Sequence, residues 1–307
     1  MRRAACILLA LTAVALSGGH EACAERRVER LSLGDVSYEL LEPGDGRPSR
    51  DVVLIPGYAV PMAVWDRTTD ALVHAGFRVL RFDLYGRGRS ARPLVVDRRR
   101  IDYTPELFAD QVHELAGKLK ISRPFHVIAS SMGGPVAAML AARHPNPFDR
   151  VILVSPAGLA HDFPAVTTVL KTPWFGEWYF RRQFRDIMLE HLRDNLLLDP
   201  RAYPAMLREY QQQLTVPGSA QAMLSTFHHT LLRDASEEFR ALGRLRRPTL
   251  VLWGEADKVV PLDRVKKTLV EAIPQLELWT IHRAAHLPQL ERPQVFNDLA
   301  IRFLLRP

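Results

Sequence analysis

The stretch Phe125-His126-Val127-Ile128-Ala129-Ser130-Ser131-Met132-Gly133-Gly134-Pro135-Val136-Ala137-Ala138-Met139-Leu140 decides the fold. It opens with an apolar, partly β-branched run, which predicts a buried strand. Two glycines then turn the chain, and an Ala-rich run with good helix propensity follows. A hydroxyl stands at the join. A side chain there is pushed out at the carboxyl end of a strand, and the next helix aims its N-terminal amides at the same spot.

So tight a turn needs small residues two positions either side of its apex. Ser131 is flanked by Ala129 and Gly133, with Gly134 beyond. Ser130 is flanked by Ile128 and Met132, which would collide in the turn. Ser131 is therefore the candidate nucleophile. The pattern is G-x-S-x-G with Ala129 in place of the first glycine. The competing reading is an ordinary strand-to-helix turn with a helix-capping serine.

The flanking chain repeats the strand-then-helix rhythm. Asp51-Val52-Val53-Leu54-Ile55 is a short apolar run of the kind covered on both faces, and a helix is expected from Trp65-Asp66 to about Ala75. Phe77 to Asp83 is the next strand, and Val36 to Leu41 alternates loosely as an outer one. Thr104-Pro105-Glu106 starts a helix with a cap residue and Pro at its first position. Val151-Ile152-Leu153-Val154 adds another buried strand. The alternation predicts an α/β fold, a mostly parallel twisted sheet with helices on both faces.

Between Ser155 and Leu245 the rhythm breaks. Trp174, Phe175, Trp178, Tyr179 and Phe180 cluster, helical stretches follow at Met188 to Leu198 and Met206 to Leu214, and no strand signal intervenes. Residues 156–245 read as a helical cap on a core made of residues 25–155 and 246–307, because so long an excursion usually serves a site. Ordinary peripheral helices are the alternative. Alternation resumes at Pro248 to Trp253. The loop Gly254-Glu255-Ala256-Asp257 follows, then a helix near Pro261, a last strand from Leu276 to Ile281, His286 on a loop, and a final helix from Gln294 to Leu304.

Residues 1–24 read as a cleaved secretory signal. Arg2 and Arg3 precede an apolar run from Ala4 to Leu16, and Ala22-Cys23-Ala24 has the A-x-A cleavage form. The run is shorter than the roughly 20 residues of a bilayer-spanning helix, although an uncleaved N-terminal anchor is the alternative. Cleavage removes both cysteines, Cys6 and Cys23, so the mature chain needs no disulfide and tolerates an oxidising compartment. A secreted or periplasmic location follows from that reading.

The 307 residues carry a net charge of +7, mostly from arginines scattered along the chain, with a cluster at Arg98-Arg99-Arg100. There is no zinc spacing and no aromatic-plus-basic recognition motif, so nucleic acid is not an expected partner. Weak association with an anionic membrane surface stays open. The glycine-rich exit Asp83-Leu84-Tyr85-Gly86-Arg87-Gly88-Arg89-Ser90 lacks the G-x-G-x-x-G and Lys-Ser/Thr forms of phosphate loops and reads as a structural turn.

Ser131, Asp257 and His286 each follow a parallel strand, at the sheet edge where ligands bind. Their chain order is that of a nucleophile elbow completed by an acid and a base. A serine hydroxyl needs an imidazole to take its proton, and an aspartate on the other ring nitrogen sets the tautomer. His282 is the competing base, set too close to its strand, and Glu255 the competing acid. The oxyanion donors are expected at the amides of Met132 and Tyr58, where Gly57 lets the backbone approach. His228 and His229 have solvated or structural roles.

These motifs, with Ile55-Pro56-Gly57-Tyr58, Ser131-Met132-Gly133-Gly134, Val260-Pro261 and Glu291-Arg292-Pro293, resemble the α/β-hydrolase fold superfamily, in its capped, esterase- or lipase-like serine-hydrolase form. The resemblance covers essentially the whole mature chain. It implies cleavage of a small, apolar carboxylic ester through an acyl-enzyme, with no metal or organic cofactor. Some members instead cleave carbon–carbon bonds of ring-fission products, and a non-catalytic carrier on the same fold is the third alternative. The resemblance also implies structural roles for Asp83 and Glu291, and leaves Asp162 as an alternative acid. Halide-releasing relatives use an aspartate nucleophile, against which Ser131 argues. Pro56 stands where a histidine often precedes the oxyanion glycine.

Overall fold

The computed structural model describes residues 25–44, 50–144, 146–159, 172 and 174–307. Residues 1–24, expected as a leader, and Asp162, the alternative acid, lie outside the described residues.

At one edge of the sheet, β1 (Arg27–Leu31) and β2 (Gly34–Leu41) form an antiparallel ribbon. The chain continues through β3 (Asp51–Ile55), α1 (Asp66–His74) and β4 (Arg78–Phe82). A two-residue ribbon, β5 (Val95–Val96) with β6 (Arg99–Arg100), stands apart from the main sheet. Then come α2 (Pro105–Lys118), β7 (Phe125–Ser130), α3 (Gly133–Arg143) and β8 (Phe148–Val154). The helices after β8 are α4 (Phe175–His191), α5 (Pro204–Leu214), α6 (Ser219–Thr226) and α7 (Ser236–Arg244). The end of the chain carries β9 (Thr249–Gly254), α8 (Leu262–Ala272), β10 (Leu276–Ile281), α9 (Pro288–Glu291) and α10 (Pro293–Leu304).

The main sheet runs β1-β2-β4-β3-β7-β8-β9-β10, and every pairing from β4 to β10 is parallel. This is the mostly parallel α/β sheet expected from the alternation. The edge strand β1 was not anticipated, because its residues RVERL offer only a weak apolar pattern and it gains its ladder from β2.

Two-residue periodicity sorts the strand side chains into two cores. Val53, Ile55, Val127, Ala129, Val151, Leu153, Val251 and Trp253 face α2, α3, α7 and α8. Val52, Leu54, Ile128, Ile152, Val154, Leu250 and Leu252 face α1 and α10. Strands β3, β7 and β9 are buried at every position, which is why they read as unbroken apolar runs.

The helices inserted between β8 and β9 divide by what they touch. In α7, Phe239 and Leu242 join the sheet-side core. From α4 to α6 the buried residues Phe180, Phe184, Met188, Met206, Tyr210 and Met223 pack with the β3 exit and the final loops. Polar bonds tie this insertion to the strand exits. The Tyr58 hydroxyl donates to the Met223 carbonyl at 2.9 Å, and Gly88 N–H donates to Gln213 Oε1 at 3.0 Å. Gln213 in turn donates to the Ala59 carbonyl. Both α4 and α6 run on into single π-turns, Leu192–Leu196 and Phe227–Leu231, a feature common beside functional sites. The aromatic cluster begins α4 itself, so that helix starts further upstream than Met188.

Candidate active site

The turn after β7 has the form that the small-residue pattern required. Ser131 has φ of +52°, the left-handed region that a non-glycine residue enters only when its surroundings hold it there. Three backbone bonds do so. Ser131 N–H donates to the Val154 carbonyl at 2.8 Å, while its own carbonyl accepts from Gly134 at 2.9 Å and Ala157 at 3.1 Å. They offset a strain of about 1–3 kcal/mol.

The neighbours explain which positions must be small. A Cβ on Gly133 would stand 2.6 Å from the Ile55 carbonyl, and one on Gly134 would stand 2.7 Å from Pro156 Cβ. Ala129 is still within β7, where its methyl packs in the core, so no glycine is needed there. Ser130 ends the strand and accepts a hydrogen bond from Gln289 at 3.3 Å. That bond brings the segment after His286 against the end of β7, one residue before Ser131.

The acid and the base meet. His286 Nδ1 lies 2.8 Å from Asp257 Oδ2, and both side chains are 1 % exposed. A carboxylate only accepts, so Nδ1 carries the proton and Nε2 keeps its lone pair. The other carboxylate oxygen accepts from Val259 N–H at 2.9 Å and Val260 N–H at 3.0 Å. Burial alone would push the Asp257 pKa up, but the positive charge of His286 when its ring is protonated, its hydrogen bond and the Val260 amide together hold it below the usual range. Ser155, buried at the β8 exit with φ of +42°, sets its hydroxyl toward this carboxylate and adds to the lowering of its pKa.

The two loops bearing this pair are stitched together. Ala256 N–H donates to the Ala284 carbonyl at 2.9 Å, and a Cβ on Gly254 would fall 1.7 Å from the Ala285 carbonyl. The competing residues are elsewhere: His282 and Glu255 pair with each other on the exposed surface. His229 is exposed and pairs with Asp102, and His228 is half-buried.

The loop after β3 crosses the elbow, since a Cβ on Gly57 would stand 3.2 Å from Ser131 Cβ. Neither the Tyr58 nor the Met132 amide donates to a backbone carbonyl of the described residues. Behind Tyr58 lies a residue that its motif did not single out. Arg87 is fully buried, its Nε donates to the Tyr58 carbonyl at 2.7 Å and its Nη1 to the Tyr85 carbonyl at 3.1 Å. Its guanidinium carbon is 5.4 Å from the Tyr58 ring centre and 5.3 Å from that of Phe108. Burial lowers its pKa to about 10, which leaves it a cation at neutral pH. Asp83, by contrast, accepts from Met62 and Arg89 amides at 2.9 Å each and braces two loops.

A second histidine approaches from the insertion. His191, the last residue of α4, is part-exposed yet enclosed by protein, and burial together with the nearby His286 lowers its pKa to about 4. It is therefore neutral at pH 7. No motif surrounds it in the sequence; its one local signal is the π-turn that starts at the next residue.

Residues 52–293 match the alpha/beta hydrolase fold family. The chain is an α/β hydrolase. This hydrolase is 27 % identical over 287 residues to a 2-hydroxy-6-oxononadienedioate/2-hydroxy-6-oxononatrienedioate hydrolase of a Pseudomonas species, covering 89 % of this chain and 94 % of that one. Among solved structures it resembles an enol-lactonase from Burkholderia xenovorans LB400, with a TM-score of 0.72 at 22 % identity, covering 91 % of this chain and 100 % of the other. It also resembles a thermophilic esterase from Thermogutta terrifontis, with a TM-score of 0.70 at 24 % identity, covering 92 % and 98 %. The structural likenesses establish the fold of the hydrolase.

Proposed function

We propose that this α/β hydrolase cleaves carboxylic esters through an acyl-enzyme formed on Ser131. The observation that carries the reading is the buried Asp257–His286 pair, joined through Nδ1; a serine held at a left-handed φ follows β7, and Gln289, three residues past His286, bonds to the end of that strand. Ser131 Oγ attacks the ester carbonyl and gives its proton to His286 Nε2. The resulting imidazolium is stabilised by Asp257, and the carbonyl oxygen, now negative, takes the free amides of Tyr58 and Met132. Collapse of the tetrahedral intermediate expels the alcohol, which takes the proton back from His286. Water, deprotonated by the same imidazole, then attacks the acyl group and releases the acid.

The α4–α6 insertion serves as the cap over this edge. Its buried side chains Phe180, Phe184, Met188 and Met223 favour an apolar acyl group. The leader at residues 1–24 supports export.

The second reading, hydrolysis of a carbon–carbon bond, draws support from the named Pseudomonas relative. A dioate substrate carries two negative charges and calls for cations. Among the described residues of the insertion, the ionisable group coupled to His286 is the neutral His191 rather than a cation, which favours the ester reading.

Nitrophenyl esters graded by chain length, set against a vinylogous diketone acid, separate the two. Fluorophosphonate labelling of Ser131 together with loss of ester turnover in Ser131→Ala supports the proposal. Turnover of the diketone alone would favour the second reading. Neither labelling nor turnover would leave a carrier.

A further inference from the structure

We propose that the exposed face of α4 is a docking surface for an anionic phospholipid bilayer. The helix has two faces with opposite chemistry. Gly176, Phe180, Phe184 and Met188, four residues apart, are buried. The opposite stripe carries Phe175, Trp178, Arg182 and Arg185, and Trp174 precedes it at the helix start. Trp174 is 90 % exposed, Trp178 59 % and Phe175 51 %. Three large aromatic side chains together in water are costly for a soluble surface and mark an interaction site. Phe175 and Trp178 are packed on one another, with ring centres 5.8 Å apart, so the apolar patch is continuous.

The chemistry of the stripe selects the partner. Indole rings have an apolar body and a polar edge, and they settle at the boundary between acyl chains and headgroups. One and two turns further along, Arg182 and Arg185 are exposed and make no ion pair among the described residues, whereas Arg181 is matched to Glu177 at 2.6 Å. Aromatic groups at one end and unpaired guanidinium groups beside them fit an interfacial helix on an anionic surface. Asp186 borders the stripe and offsets part of that charge locally. The whole chain, at +7, is attracted to the same surface. A second copy is a poorer occupant, because a two-fold interface on this stripe would enclose four arginines with only the Asp186 of each copy to offset them. Among the described residues no helix is long and apolar enough to cross a membrane.

The seat is linked to the site. The 17 residues of α4 span about 25 Å and end at His191, which is within electrostatic reach of His286. Docking through its first turns orients the insertion toward the lipid.

The test is co-sedimentation of the full chain with vesicles of phosphatidylcholine, with and without phosphatidylglycerol. The wild type is expected to sediment with the anionic vesicles, more weakly with the neutral ones, and less as salt is raised. The triple variant Trp174→Ser, Phe175→Ser, Trp178→Ser and the double variant Arg182→Glu, Arg185→Glu should each lose about tenfold in binding. Turnover of a soluble ester should stay unchanged in both. A second readout serves if a variant fails to fold. In a Trp279→Phe background, with Trp65 and Trp253 buried, tryptophan emission should shift to the blue on anionic vesicles and be quenched by brominated lipid. Three results would overturn the proposal: no binding by the wild type, equal binding by the variants, or a wild-type dimer that the triple variant turns into a monomer.

Discussion

Replacing Asp257 with asparagine tests the site at its most constrained point. In the native pair, Asp257 Oδ1 faces two amide donors, Val259 at 2.9 Å and Val260 at 3.0 Å, and Oδ2 faces His286 Nδ1 at 2.8 Å. The asparagine carbonyl must take the place of Oδ1, because an NH2 there would set three donors against one another. That arrangement costs about 1–3 kcal/mol for each buried group left unpaired. The NH2 then points at Nδ1 and donates to it, so the imidazole proton moves to Nε2. A ring in that tautomer has no lone pair for the Ser131 proton. The loss expected is about four orders of magnitude in kcat, or about 5.4 kcal/mol of barrier, with the fold intact. Initial rates on a nitrophenyl ester and a circular-dichroism melt measure both. A variant within tenfold of wild type, melting normally, would refute the assignment of acid and base.

The same carboxylate predicts a pH effect. Its pKa is depressed in the fold, so its contribution to stability is present above the ordinary value, about 3.9, and is lost as pH falls through the lower folded one. The melting difference between wild type and Asp257→Asn should therefore shrink below pH 4.

Other perturbations read the scaffold. Gly254→Ala should lower the melting temperature and cut ester turnover at least a hundredfold, since its Cβ would overlap the Ala285 carbonyl; wild-type values for both would contradict the close approach. Glu291 accepts Ala285 N–H at 2.6 Å and Leu198 N–H at 2.7 Å, and glutamine can satisfy only one of them. Urea unfolding of Glu291→Gln should show a loss of about 1–3 kcal/mol. His126 is 1 % exposed and neither ring nitrogen makes a hydrogen bond; Nδ1 stands 3.6 Å from Asp149 Oδ2, yet burial lowers the pKa to about 4. It is neutral in the fold, but the unfolded chain binds its proton below about 6.5, so stability falls as pH drops from there toward 4. His126→Phe should remove about 1–2 kcal/mol of the difference between pH 7 and pH 5; an unchanged melting slope would contradict it.

Which features the sequence displayed follows from how local their causes are. The elbow was legible because a turn of that radius excludes side chains at Gly133 and Gly134, and the excluded atoms, the Ile55 carbonyl and Pro156, belong to neighbouring strand exits. The preference for Asp257 over Glu255 and for His286 over His282 rested on distance past the strand. Glu255 and His282 pair with each other and are turned to solvent. Strand β1 was missed because its partner, not its composition, makes it a strand. His191 and Arg87 gave no signal, since what matters about them is the company they keep: an imidazole across the site and the carbonyl of Tyr58. Nor does the aromatic cluster announce the start of α4, because its rings fall on both the buried and the exposed face of the helix.

The carboxylate of Glu291 joins the loop ahead of the imidazole to the chain just past the first π-turn. The two cannot be exchanged independently. A chimera that receives its helices from a relative, to acquire that relative's selectivity, would strip one acceptor bond from the loop that carries His286. Swapping specificity in this enzyme therefore means transplanting residues 285–291 along with the helices, so that both ends of the clasp arrive together.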